Sequence, residues 1–284
     1  MSLLQLGFLR YTKKKRYSEV LTLKNLDAYK LKWIAIIGMI LSHIPYAFWE
    51  FIPTNIAIPL SFVGGFTFAI MAYFVAEGYR HTSDLKKYFL RLFIFGLIAT
   101  PFHILVIALP WLNIMFTIML SLLVLLLYDK IKFRVLFWLL YVIVIVPIST
   151  LYFEFYFIGP TMVLLYHIIR KESLRRVVPS IFAGVCWLLL AALGIWSLSS
   201  LTVIPPVDPG IFRNTFFLTD ITFMWLLIPF ALGTMFVAFL LTNYNGQRGK
   251  SMKWTFYVIY PLHFAVLAAI GIASGMISLS PFGF

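Results

Sequence analysis

The sequence predicts an all-α polytopic membrane protein of about nine transmembrane helices, with the N-terminus cytoplasmic and the C-terminus extracytoplasmic. Three observations carry this. Of the 284 residues 62% are hydrophobic and 12% charged, against about half and about a quarter in ordinary soluble domains. The apolar residues fall in runs long enough to cross a bilayer. The basic residues fall between alternate runs. A mean hydropathy of +0.96 agrees. This composition excludes a disordered chain, a coiled coil and an ordinary soluble enzyme. The single cysteine, Cys186, excludes an internal disulfide framework and a cysteine-based metal site, and reads as a small packing residue.

About twenty apolar residues cross the hydrocarbon core. Span 1, 31–50, follows Asp27, a good N-cap, and contains Pro45. Span 2, 56–78, closes at Glu77-Gly78 before Arg80. Span 3, 88–109, follows Lys86-Lys87 and contains Pro101. Span 4, 112–128, is short, and spans 5 and 6, 133–149 and 152–169, touch. Span 7, 178–199, leads into the longest outer connection, 200–216, whose Pro205, Pro206, Pro209 and Gly210 predict a structured or lid-like loop. Span 8 is 217–241, and span 9 is 255–279 with Pro261 inside it. Residues 1–24 form a basic cytoplasmic segment and 25–284 a single transmembrane domain, with no internal repeat.

The charges order these spans. Of the 23 Lys and Arg, all but Arg213 lie in the N-terminal segment or in the 2–3, 4–5, 6–7 and 8–9 connections. The positive-inside rule then puts those connections in the cytoplasm. Topology and anionic membrane lipid account for most of the net charge of +13, so no nucleic acid partner is implied. The first nine residues are apolar and precede Lys13–Arg16, the wrong order for a cleaved signal. Span 1 is therefore expected to stay as an anchor, with Leu3–Leu9 on the membrane surface.

Ionisable groups at membrane depth are costly and mark functional candidates. His43 lies 13 residues beyond Lys30, about 20 Å along the helix at ~1.5 Å per residue. It is either hydrogen-bonded between helices or a general base facing a cavity. His103 follows Pro101 and His263 follows Pro261; each ring either satisfies carbonyls freed by a kink or acts in chemistry. Glu50 and Glu154 sit at outer ends, Glu77 and His167 at inner ends. Glu77 suits a pair with Arg80. Asn113 and Thr117 share one helix face, suited to interhelical hydrogen bonds. No Walker A loop, H-E-x-x-H or G-x-S-x-G is present, which disfavours an ATPase, a zinc protease and an α/β-hydrolase.

Four segments together resemble the TraX family of integral membrane acetyltransferases. They are Leu26–Trp49 (LDAYKLKWIAIIGMILSHIPYAFW), Phe68–Phe95 (with E-G-Y-R-H-T and Y-F-L-R-L-F-I-F), Pro101-Phe102 with Asn113–Thr117 (NIMFT), and Asn245–Leu262 followed by His263. The match runs through spans 1 to 4 and span 9. Family members often carry Asp directly before the helix 1 histidine, where this chain has Ser42, with Glu50 two turns on as a substitute. An Arg common in helix 2 is replaced at Gly65, and a Pro at Ala69.

The resemblance implies an enzyme of the bacterial plasma membrane that moves acetyl from cytoplasmic acetyl-CoA to an amine or hydroxyl. The acceptor would be a peptide, lipoprotein or glycan, with a peptide or protein N-terminus favoured, and no metal is implied. It makes His43 the catalytic candidate; on the acyltransferase reading Asn113 or a backbone amide freed by a kink is the donor to the oxyanion. Lys30, Arg80, Lys87, Arg91 and Arg248 offer cations for CoA phosphates. Asp27, Glu50, His103 and His263 complete the candidate site. The alternatives are a membrane transporter, suited by proline-broken helices, and a non-catalytic membrane partner.

Overall fold

The computed structural model describes residues 25–48, 51–107, 111–200, 221–252 and 254–277. These residues form nine helices and no strand beyond two isolated bridges. The helices are α1 Ala28–Ala47, α2 Thr54–His81, α3 Leu85–Ile107, α4 Ile114–Lys130, α5 Arg134–Tyr152, α6 Ile158–Ile168, α7 Glu172–Ser200, α8 Ile221–Thr242 and α9 Thr255–Ala273. Each falls within or across one predicted span.

Six of them are long and apolar enough to cross a membrane: α2, α3, α5, most of α7, most of α8, and α9. This is a polytopic helical membrane protein. The expected nine crossings are not matched one for one. The 20-residue α1 is not among the six. With 17 and 11 residues, α4 and α6 reach only about 26 and 17 Å at ~1.5 Å per residue. Span 6 was expected from residue 152, but the chain turns sharply at 153–157, where Phe155 and Tyr156 have φ of 66° and 50°. Helix α5 is π-helical at Tyr141–Ile145, just before Pro147. Proline lacks the N–H and crowds the carbonyl four residues back, and the wider turn relieves that clash.

The connections rich in Lys and Arg gather on one face. Leu26 bridges Tyr244, and the Ala28 N–H donates to Gln247 O at 2.9 Å. Tyr79 Oη donates to Asp129 at 2.9 Å. Arg175 joins Glu77 at 2.6 Å on α2 and also Glu172, while Arg176 Nη1 donates to Tyr244 O at 2.8 Å after α8. The first turn of α7 thereby ties α2 to α8. Glu77 also pairs with Arg80 at 3.0 Å, as its spacing suggested.

Helix α2 is the hub, packing on α1, α4, α6 and α8. Its buried face runs from Phe68 through Ala69, Ile70, Ala72 and Tyr73 to Ala76. Backbone-close packing needs small residues, because lipid gives helices no hydrophobic drive toward each other. A Cβ on Gly65 would collide with the Phe230 carbonyl of α8, and one on Gly233 with the Phe62 carbonyl of α2. Gly38 sits likewise against Val63 O, and Gly64 against Ser42. Thr234 Oγ1 seals the α2–α8 contact by donating to Gly65 O at 3.2 Å.

Replacing Gly233 by Val should force α8 off α2. The expected cost is at or above the ~1–3 kcal/mol typical of overpacking, read as a lower unfolding temperature in detergent. Gly78→Ala, where a Cβ would meet only ordinary contacts from Tyr88 at 3.6 Å and beyond, should leave that temperature near the parent's.

Candidate active site

Helices α1, α2, α7, α8 and α9 and the α5–α6 turn enclose a chamber of about 430 Å³. His43 of α1 lines it. Its Nδ1 lies 2.7 Å from Met39 O, so Nδ1 carries the proton and donates. His263 of α9 stands behind it, with Nε2 3.3 Å from His43 Nδ1 and Nδ1 3.2 Å from Ile259 O. The carbonyls assign the same tautomer to both rings, and the His43 Nδ1–H is shared between Met39 O and the His263 Nε2 lone pair. That leaves His43 Nε2 as a lone pair with no hydrogen-bond partner among the described residues. Both histidines meet the buried Phe264, at ring centroids of 4.6 and 4.2 Å.

A second imidazole pairs with a carboxylate. His103 of α3 is 1% exposed, and neither ring nitrogen has a hydrogen-bond partner. Its Nε2 stands 3.7 Å from Glu154 Oε2, just beyond hydrogen-bond reach. Glu154 lines the chamber. The 153–157 turn carries it there: its N–H donates to Leu112 O at 3.0 Å, and its carbonyl accepts from Thr117 Oγ1 at 2.7 Å. The left-handed backbone of Phe155 and Tyr156 costs on the order of 1–3 kcal/mol per residue. It is held by Phe155 stacked on Phe68 at 4.4 Å and Tyr156 against Trp111 at 5.3 Å. Tyr260 of α9 adds to the same wall a buried hydroxyl without a partner.

Asn113 is placed elsewhere. Its Oδ1 accepts from the Met115 N–H at the start of α4, and its Nδ2 donates to Gly96 O and Thr100 Oγ1 at 2.9 and 3.1 Å. The amide joins α3 to α4 and leaves no donor for an oxyanion. The Tyr260 hydroxyl, which has no acceptor among the described residues, is a donor in the chamber wall.

A second cavity of about 190 Å³ lies toward the basic face, with Lys32, Gly78 and Tyr88 in its wall. Met71 and Phe256 line both cavities, so the two stack end to end with these side chains between them. Lys32 lies over the Phe74 ring at 5.0 Å and makes no ion pair among the described residues. Arg91 stands behind the wall, near the Tyr88 and Tyr257 rings at 5.7 and 5.9 Å. Arg248 feels the Lys32 charge from the 245–251 loop and donates to Ser251 Oγ at 3.3 Å.

The other expected cations are engaged. Arg80 Nη2 donates to Tyr166 O and His167 O at 3.1 and 2.6 Å, capping α6. Lys87, in the first turn of α3, pairs with Asp84 of the exposed α2–α3 connection at 3.1 Å. There the Lys87 N–H and ammonium hold the Asp84 carboxyl below its ordinary value. Lys30 Nζ donates to Asn25 O at 2.9 Å. Asp27 caps α1, accepting the Lys30 N–H at 2.8 Å. Glu50 lies outside the described residues. Ser42 donates to Met39 O at 3.1 Å within its own helix, so Met39 O and His263 orient the His43 ring.

A sequence model described as TraX protein matches residues 27–271. The chain belongs to the TraX family. A relative, the probable fimbrial assembly protein FimC, serogroup H1, of Dichelobacter nodosus, is 27% identical over 274 residues, covering 87% of this chain and 97% of its own. No solved structure matches. Where the TraX resemblance expects an arginine, Gly65 lets the α8 backbone approach, so a long cation has no space there.

Glu154 and Tyr260 acquire their place in the chamber only through the fold. The signal for Glu154 was its position: an acid between aromatic residues in F-E-F-Y-F, at the end of an apolar run. Arg80→Met should lower stability by about 1–3 kcal/mol through the uncapped α6 carbonyls, with Glu77 keeping its pair with Arg175, measured by thermal unfolding. A substitution that leaves unfolding unchanged contradicts the capping role.

Proposed function

We propose that this TraX-family protein is a membrane acyltransferase. It takes acetyl from acetyl-CoA at the basic, cytoplasmic face and delivers it to an amine or hydroxyl that enters the chamber from the opposite side. In this reading the N-terminus is cytoplasmic, the C-terminus extracytoplasmic, and the membrane is the bacterial plasma membrane. The short α4 and α6 complete the bundle around the chamber. The observation that carries the proposal is His43: it lines the chamber with Nδ1 engaged by Met39 O, which leaves Nε2 as the free lone pair, and a second cavity extends toward the basic face.

The residues fit the co-substrate. Lys32 and Arg248 offer cations for phosphates at the mouth, and Lys250 lies nearby, 6.0 Å from the Tyr29 ring. The passage past Met71 and Phe256 suits a slender arm that ends in a thioester. His43 Nε2 takes the proton of the acceptor as it attacks the thioester carbonyl. The Tyr260 hydroxyl donates to the oxygen on which negative charge develops. His43 then hands its proton to the departing sulfur. The apolar rings around the chamber exclude water and protect the thioester from hydrolysis. The relative's name, fimbrial assembly protein, favours an exported protein subunit as acceptor.

Calorimetry of the purified protein in detergent tests this reading. Acetyl-CoA should bind, Lys32→Met should weaken binding about 10-fold, and His43→Ala should keep binding while abolishing transfer. No binding by the folded protein, or transfer retained in His43→Ala, overturns it.

A further inference from the structure

An acceptor hydroxyl gives up one proton when it is acylated, whereas an ammonium gives up two. The thiol leaving group takes one of the two, and the other needs a second base. On the acyltransferase reading above, His43 serves the first. The chamber wall holds one more group able to act, on the α5–α6 turn.

We propose that Glu154 is a second base: its carboxylate binds an alkylammonium acceptor in the chamber and removes the first of its two protons. The free amine then attacks the thioester carbonyl and the C–N bond forms. His43 takes the remaining proton, the C–S bond breaks, and the sulfur receives that proton from His43. The products are an amide, a thiol and one released proton. His103 is the positioning partner, with Nε2 3.7 Å from Glu154 Oε2, and Glu154 gives up the released proton when the amide leaves the chamber.

Three features support this. Among the described residues Glu154 Oε2 is buried without a hydrogen-bond partner, as are both nitrogens of His103, so these three facing atoms are left for something other than protein. The groups facing the carboxylate are His103 of α3, Tyr46 of α1, Tyr260 of α9, Tyr156 of its own turn and the Ile114 N–H of α4. No Lys or Arg lines the chamber among the described residues, so its charge favours a cation. The rest of the wall is aromatic, with Tyr156 and Trp187 at 6.0 Å and Trp187 and Phe230 at 5.3 Å. An ammonium flanked by an apolar group matches both parts.

Hexylamine and hexanol are probes of equal chain length that differ in the head group. Calorimetry with the full protein should show hexylammonium binding weakened about 10-fold in Glu154→Gln, with hexanol binding unchanged, which also reports an intact chamber. With acetyl-CoA, transfer to hexylamine should fall about 100-fold in Glu154→Gln near neutral pH. It should recover as pH rises toward the amine's own pKa, a recovery that a merely structural loss would not show. A Glu154→Gln protein with the parent's amine affinity and pH profile overturns the proposal. If the parent transfers to neither probe while hexylammonium binding still depends on Glu154, the acyltransferase reading fails and the ammonium site stands.

Discussion

A polar atom inside a helical bundle surrounded by lipid must find its partner within the protein, because no bulk water competes for it. Most of this structure follows from that constraint. Ser61 donates to Leu226 O, Thr67 to Ala35 O, and Asn113 to Gly96 O, each crossing from one helix to another. Tyr166 and Ser180 bond each other at 2.8 Å. These bonds fix helix pairs that apolar contact alone would leave free to slide. The exceptions are therefore informative. Of the seven buried side-chain atoms without a partner among the described residues, four belong to His103, Glu154 and Tyr260. They gather at one chamber and mark it as the place built for something other than packing.

The chamber has a consistent design. Its two ionisable groups of catalytic interest are each backed by an imidazole: His43 by His263, and Glu154 by His103. The Phe264 ring lies edge-on to both His43 and His103, at 4.6 and 5.2 Å, and keeps the two pairs at fixed positions around one apolar plug. Glycine-mediated contact of α2 with α1 and α8 supplies the rigid frame. Gly65 is a backbone contact with α8, and the chamber's charge comes from the Glu154 carboxylate in its wall.

Much of the fold was legible in the sequence, because the apolar runs and the alternation of basic loops are properties of composition along the chain. The helix order, the Asp27 cap and the Glu77–Arg80 pair could be read from spacing. The shortness of α6 could not, since Phe153–Phe157 is as apolar as a helix and only the contact with Leu112 bends it away. His43 was legible as a lone imidazole at depth. Its partner His263 lies 220 residues away, and no local pattern joins them. The capping by Arg80 was not legible, because the carbonyls that it caps belong to a helix distant in sequence.

The central claim is that the two stacked cavities form one route from the basic face to His43. Transfer of the acyl group by Met71→Trp, a plug placed between the cavities, tests it most directly. The account predicts that acetyl-CoA still binds through the lower cavity while transfer to any acceptor is lost. Undiminished transfer with the plug in place would contradict the route.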